Sequence, residues 1–213
     1  MSDHDFKSPS VEMFLGRLSS DAPTPGGGTA AAVTGAMGAS LVAMLANLTV
    51  GRKKYEANEE LMQAVADQAA DERARLLELA ADDAAAYDAV GAAFKLAKES
   101  DEEKAQRSEA IQEALKGACE TPLAIMERCV EVIALAKTAV QYGNKNALSD
   151  GAAGAEFARS ALRVASYNVK INLGSIKDAE YAKNARTRMD EMDYMGANAA
   201  TWIDSRVNEI WSS

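Results

Sequence analysis

The chain has 213 residues, enough for one substantial core, so residues 1–213 are expected to form a single domain. Apolar residues reach 48%, aromatics only 6%, and alanine dominates, a composition of long, closely packed helices rather than sheets. The net charge of −9 leaves no basic surplus to neutralise phosphates, and the sole histidine, His4, leaves no His-based triad or zinc site.

The predicted elements follow in chain order. Met1 to Lys7 reads as a polar tail, and Ser8-Pro9 as the start of a short helix through Val11, Phe14, Leu15 and Leu18. Pro23 and Pro25 bar any helix from entering the glycine run Gly26-Gly27-Gly28, and a helix starts near Thr29. Bare amides at the positive end of that helix suit an oxygen anion or a carbonyl; a plain glycine turn is the alternative. Small residues Gly35, Gly38, Ala39, Val42, Ala46 and Thr49 share one face, and Met37, Leu41, Met44 and Leu48 the next. The first face admits a close helix neighbour and the second is expected to fill the core, which makes this a central helix.

A long helix is predicted from about Ala57 to Lys98, then one capped by Ser100 that Thr121-Pro122 restarts or kinks before Tyr142 and Gly143. Asn144 to Ser149 is a polar loop, Ser149-Asp150 caps a helix to about Leu173, and Asp178 to Ile210 is the last helix. No strand pattern appears. The fold class is all-α, a single-domain bundle of long helices. Cys119 and Cys129 read as reduced, semi-buried residues of a cytoplasmic protein. The sequence reads as having no signal peptide and no 18-residue apolar run, so neither secretion nor a membrane span is expected.

Polar residues on apolar stripes are the candidates for chemistry. Leu76, Ala80, Asp83, Tyr87, Val90 and Phe94 form one stripe, with a carboxylate in its middle. Such a group is either the partner of an arginine on a neighbouring helix or an acid in a wet cavity. Asp82 points about 100° away and reads as solvated. Phe157, Ala161, Val164, Asn168 and Ile171 form a second stripe, with Asn172 one turn on. These amides serve either interhelical hydrogen bonds or a heterocycle with donors and acceptors. Arg52-Lys53-Lys54 either complements a helix C-terminus or steers an anionic ligand. Lys137 is expected to snorkel, and Met189, Met192 and Met195 to serve the core or a dimer contact.

Several of these segments carry a resemblance. Pro23 to Ala32, Met44 to Leu48-Thr49, and Gly51-Arg52-Lys53-Lys54-Tyr55 resemble the signature of the cyclodeaminase/cyclohydrolase family of folate enzymes. Its members include formiminotetrahydrofolate cyclodeaminase domains and free-standing methenyltetrahydrofolate cyclohydrolases. Asp83-Ala84-Ala85-Ala86-Tyr87 is similar to the family's acid-Ala-x-Ala-aromatic motif, with Ala81 where the family often carries a second acid. Asn168-Val169-Lys170-Ile171-Asn172-Leu173 resembles its Asn-Val-x-Ile-Asn-Leu segment, and Gly143 to Asp150 its Gly-Asn…Ser-Asp turn.

The resemblance implies Asp83 as the proton-transfer residue. It implies a folate cleft drawn from Pro25, Gly26, Gly27, Gly28, Thr29, Arg52, Tyr55, Asn144, Asp150, Asn168 and Asn172. It also implies a homodimer that needs no metal and no cofactor beyond the tetrahydrofolate substrate. Cyclohydrolase is the favoured activity because the chain stands alone, cyclodeaminase the alternative, and a non-catalytic dimerising bundle the reading from another class. Partners are then the folate, with no nucleic acid and no membrane.

Overall fold

The structure is a computed structural model that describes residue 6 and residues 9–212; His4 and Ser8 lie outside the described residues. Six α-helices run Val11–Leu18 (α1), Gly27–Asn47 (α2), Glu59–Phe94 (α3), Asp101–Tyr142 (α4), Leu148–Leu173 (α5) and Ala179–Ser212 (α6). Short 3-10 turns, Lys53–Asn58 and Lys145–Ala147, precede α3 and α5. Among the described residues there is no strand, and the all-α expectation holds.

α2 is the central helix, packed on α3, α5 and α4. Its small face is buried as expected, and glycine lets it meet α5 backbone to backbone. A Cβ on Gly38 would stand 2.7 Å from the Gly154 carbonyl oxygen, and one on Gly154 would stand 2.8 Å from the Gly38 oxygen. The larger face joins the core only in part, through Leu48. Met37 and Met44 are about half exposed, because α3, α4 and α5 leave that part of α2 uncovered in the protomer. By length and composition α2 also passes as a membrane span, contrary to expectation, since its glycines and alanines keep it apolar; 61% of its apolar window is buried in the bundle.

Several boundaries differ from the sequence expectations. The first cap is Ser10, whose side chain accepts from the Met13 N–H at 3.2 Å. Phe6, expected in a polar tail, is buried edge-on against Phe14. α2 starts at Gly27, two residues early, with the Ala30 N–H donating to the Gly26 carbonyl. α5 starts at Leu148, so Ser149 and Asp150 lie in its first turn and do not cap it. α3 stops at Phe94, and the Ser100–Glu103 capping box starts α4 as expected.

α4 is one helix of 42 residues that passes through Pro122 without a break. Cys119 and Cys129 are free and fully buried rather than semi-buried, and burial pushes both thiols up. Met189 and Met192 belong to the core, whereas Met195 is exposed. Lys137 holds its Nζ 4.8 Å over the Trp202 ring, the snorkelling expected of it.

Candidate active site

The N-terminus of α2 meets α3, α4 and α5 at a cleft of about 350 Å³. Its lining includes Gly26, Gly27, Gly28, Asp83, Asn168 and Asn172, drawn from three separate stretches of chain. The stripe bearing Asp83 changes character along α3. Leu76 and Ala80 are buried in the core, while Tyr87 and Val90 wall the cleft.

Among the described residues, no arginine pairs with Asp83. The Thr29 hydroxyl donates to its Oδ2 at 2.9 Å, and the Thr29 backbone N–H also bonds the carboxylate. Thr29 is fully buried and faces Asp83 rather than the cleft. The positive end of α2, expected to receive a ligand's oxygen, is therefore engaged at Thr29 by the protein's own carboxylate. Gly28 makes this contact possible, since a Cβ there would stand 2.6 Å from the Asp83 Cγ. Burial pushes the Asp83 carboxyl above its ordinary value, and the Thr29 bonds offset part of that shift. Asp82 is exposed, 3.8 Å from Arg75, as its position on the helix predicts.

The two asparagines are oriented by main-chain carbonyls. Asn168 Nδ2 donates to the Val164 oxygen at 3.1 Å, and Asn172 Nδ2 to the Ala118 oxygen at 2.7 Å. A carbonyl only accepts, so both amides turn their nitrogen to the backbone. Only the Asn172 bond is interhelical, the Asn168 bond staying within α5, and both side chains also line the cleft.

The remaining predicted residues are not part of this cleft within one protomer. Pro25 is buried beside the lining, behind a cis Thr24–Pro25 peptide. Arg52, Tyr55, Asn144 and Asp150 sit at the opposite end of α2, whose 21 residues span about 30 Å. There Asn144 acts as a latch, donating its N–H to Thr49 Oγ1 at 2.8 Å and its Nδ2 to the Leu48 oxygen at 3.0 Å. The Tyr55 hydroxyl accepts from the Lys145 N–H at 3.0 Å, and Arg52 borders a shallow hollow with Lys53 and Glu56. Asp150 is half-buried in the first turn of α5. Four polar residues close in sequence pattern thus fall into a distant group, because α2 separates the two loops by its own length.

The sequence reading also missed lining residues. Ala118, Thr24 and Ile171 border the cleft. Ala118 carried one signal: it lies four residues before Pro122, where a helical carbonyl loses its donor.

Comparison with known proteins follows the same geometry. The profile of the family described as formiminotransferase-cyclodeaminase matches residues 10–191. A methenyltetrahydrofolate cyclohydrolase of Methylorubrum extorquens is 43% identical over 203 residues, 95% of this chain and 96% of its own. A formimidoyltransferase-cyclodeaminase of Sus scrofa is 31% identical over 85% of this chain, which spans 34% of that longer protein. The crystal structure of formiminotetrahydrofolate cyclodeaminase from Thermotoga maritima superposes with a TM-score of 0.87 at 28% identity, covering 95% of this chain and 98% of that one. With the profile matching most of its length, this chain belongs to the formiminotransferase-cyclodeaminase family.

Proposed function

We propose that this protein is a methenyltetrahydrofolate cyclohydrolase, with Asp83 as its acid–base residue. The observation that carries this is a desolvated carboxylate in a cleft that, among the described residues, no other charged side chain lines. A cationic amidinium carbon is the complement of such a group, and its arrival lowers the raised carboxyl. Water adds to the bridging carbon of 5,10-methenyltetrahydrofolate while Asp83 takes its proton. The carbon–N5 bond then breaks as Asp83 returns that proton to N5, the hydroxyl on the bridging carbon releases its own proton to solvent as it becomes the formyl carbonyl, and 10-formyltetrahydrofolate remains. Glycines at 26–28 keep the mouth of the cleft clear for a flat ring, with the Asn168 and Asn172 amides beside it.

The cyclodeaminase reaction uses the same tetrahedral centre: N10 attacks an N5-formimino carbon and ammonia leaves. The names borne by the porcine and Thermotoga relatives favour it as the second reading. The cyclohydrolase stands first because the Methylorubrum relative matches end to end at higher identity. Loss of methenyltetrahydrofolate absorbance on adding the pure protein tests the first; ammonia release from formiminotetrahydrofolate tests the second. Neither signal above the uncatalysed rate leaves the non-catalytic bundle.

The active form in this proposal is a cytoplasmic homodimer, free of membrane, nucleic acid, metal and any cofactor beyond the folate. Two packed helices carry exposed apolar rows at seven-residue spacing, Met37 and Met44 on α2, Phe157, Val164 and Ile171 on α5. Pairing through these rows with α2 antiparallel to its copy sets the Arg52 end of one beside the Gly27 end of the other. Only in such a pair do Arg52, Tyr55, Asn144 and Asp150 come near a cleft.

A further inference from the structure

Pro122 is buried inside α4, and the helix continues beyond it to Tyr142. A proline has no N–H, so the carbonyl four residues back, that of Ala118, loses its helical partner. Only the Ala118 carbonyl faces the missing N–H, and side chains approach it and its two neighbours. The Tyr181 hydroxyl, which donates to Glu120 Oε1 at 2.7 Å, lies 3.3 Å from the Lys116 oxygen, the Gly117 oxygen accepts from the Thr121 hydroxyl at 3.5 Å, and the Ala118 oxygen from Asn172 Nδ2 at 2.7 Å. The last is the shortest of the three contacts to a carbonyl and ties α5 to α4 across 54 residues. Ala118 and Asn172 both line the cleft. With Nδ2 docked on a carbonyl, Oδ1 is left as an acceptor, and among the described residues no protein donor reaches it.

We propose that Pro122 is a positioning residue of the cleft: the carbonyl it frees anchors Asn172, whose Oδ1 then receives an N–H from the ring of the ligand. The ligand's identity rests on the folate reading above, since a reduced pterin carries N–H donors along its edge; the anchor itself does not. An amide fixed before the ligand arrives spends no ordering entropy on binding. Alanine at 122 supplies an N–H to the Ala118 oxygen, which then divides its lone pairs between two donors and holds Asn172 less tightly.

The test uses the full chain with 5,10-methenyltetrahydrofolate and four proteins: wild type, Pro122→Ala, Asn172→Ala and the double variant. Pro122→Ala is expected to raise KM about tenfold, the worth of one neutral hydrogen bond, with little change in kcat. The double variant should bind no more weakly than Asn172→Ala alone, because Pro122 acts through Asn172. The side-chain amide protons of Asn172, followed by ¹⁵N NMR, should exchange slowly in the wild type and faster in Pro122→Ala. A proline that serves only the helix predicts a change in Tm with wild-type KM. That result, unchanged amide exchange, or KM effects that multiply in the double variant overturns the proposal. If no protein of the four acts on folate, exchange alone decides. Faster exchange in Pro122→Ala then keeps the anchor while the folate reading falls, and unchanged exchange removes the anchor. Pro122→Ser restores the same N–H and replaces the alanine variant should that one not fold.

Discussion

Gly28 and Asp83 fit together because one of them lacks a Cβ: a methyl on Gly28 would stand 2.6 Å from the Asp83 Cγ and 2.8 Å from its Oδ2. Gly28→Ala is therefore expected to push the carboxylate off Thr29 and out of the cleft. Turnover should fall by about 10²-fold, the lower end for an acid–base group. Stability should change by only about 1 kcal/mol, since the displaced group is the end of a flexible side chain. Gly27→Ala is the control, for its Cβ would meet only Asn168 Nδ2, at 3.7 Å. Gly27→Val reaches further into the cleft and should weaken folate binding with helix content retained, measured by calorimetry and circular dichroism. Wild-type turnover in Gly28→Ala would show that the contact has no part in the chemistry.

Asp83→Asn keeps the shape and the bond from Thr29 but removes the exchangeable proton and the charge. Turnover should drop by about 10²–10⁴-fold, with substrate affinity changed much less. Near-normal turnover together with a clear loss of stability would make Asp83 a structural residue.

The same substitution has a pH signature. Burial, the larger effect, raises the folded carboxyl above its ordinary value of 3.8, and the Thr29 bonds only reduce the rise. The folded state then holds this proton more tightly than the unfolded chain. Asp83 thus favours folding most below pH 3.8, and that contribution is lost as pH rises through the folded value. Near pH 7 Asp83→Asn should be as stable as wild type or more so, with the difference vanishing in acid. Denaturant midpoints of the two proteins across pH check it. A difference that grows in acid has the wrong sign.

Asn144→Ala tests the latch at the far end of α2. The side chain is 3% exposed, donates to the Leu48 oxygen at 3.0 Å and accepts from the Asn146 N–H at 3.1 Å. Its removal takes the donor from the half-buried Leu48 oxygen and the acceptor from the Asn146 N–H, which solvent can reach, at a cost of about 1 kcal/mol. Urea unfolding should show a lower midpoint with an unchanged slope. An unchanged midpoint would remove the latch.

The dimer is tested by sedimentation. Wild type should sediment as a dimer at micromolar concentration. Met37→Glu combined with Val164→Glu should give a monomer of normal helix content, since both side chains are exposed in the protomer. A wild type that is monomeric and fully active would refute the pairing.

The sequence by itself determined the helical bundle, most element boundaries within a few residues, and the three stretches that meet at the cleft. Those signals are local: the Ser100–Glu103 capping box, the stop at Gly143 and the stripes bearing Asp83 and Asn168 depend on neighbours within a turn or two. Asp83 stood out because a carboxylate among Ala80, Tyr87 and Val90 breaks a period that the chain alone displays. Only the tertiary structure decided what each polar group faces. The α2 amide expected to meet a ligand meets Asp83, 54 residues away, and Asn172 meets a carbonyl that a proline on another helix has freed. Arg52, Tyr55, Asn144 and Asp150 looked like members of the same site, yet the rigid length of α2 holds them at its other end. The face of α2 left open was likewise settled by packing. Gly38 against Gly154 draws α5 onto the small side, and the methionines are left outside.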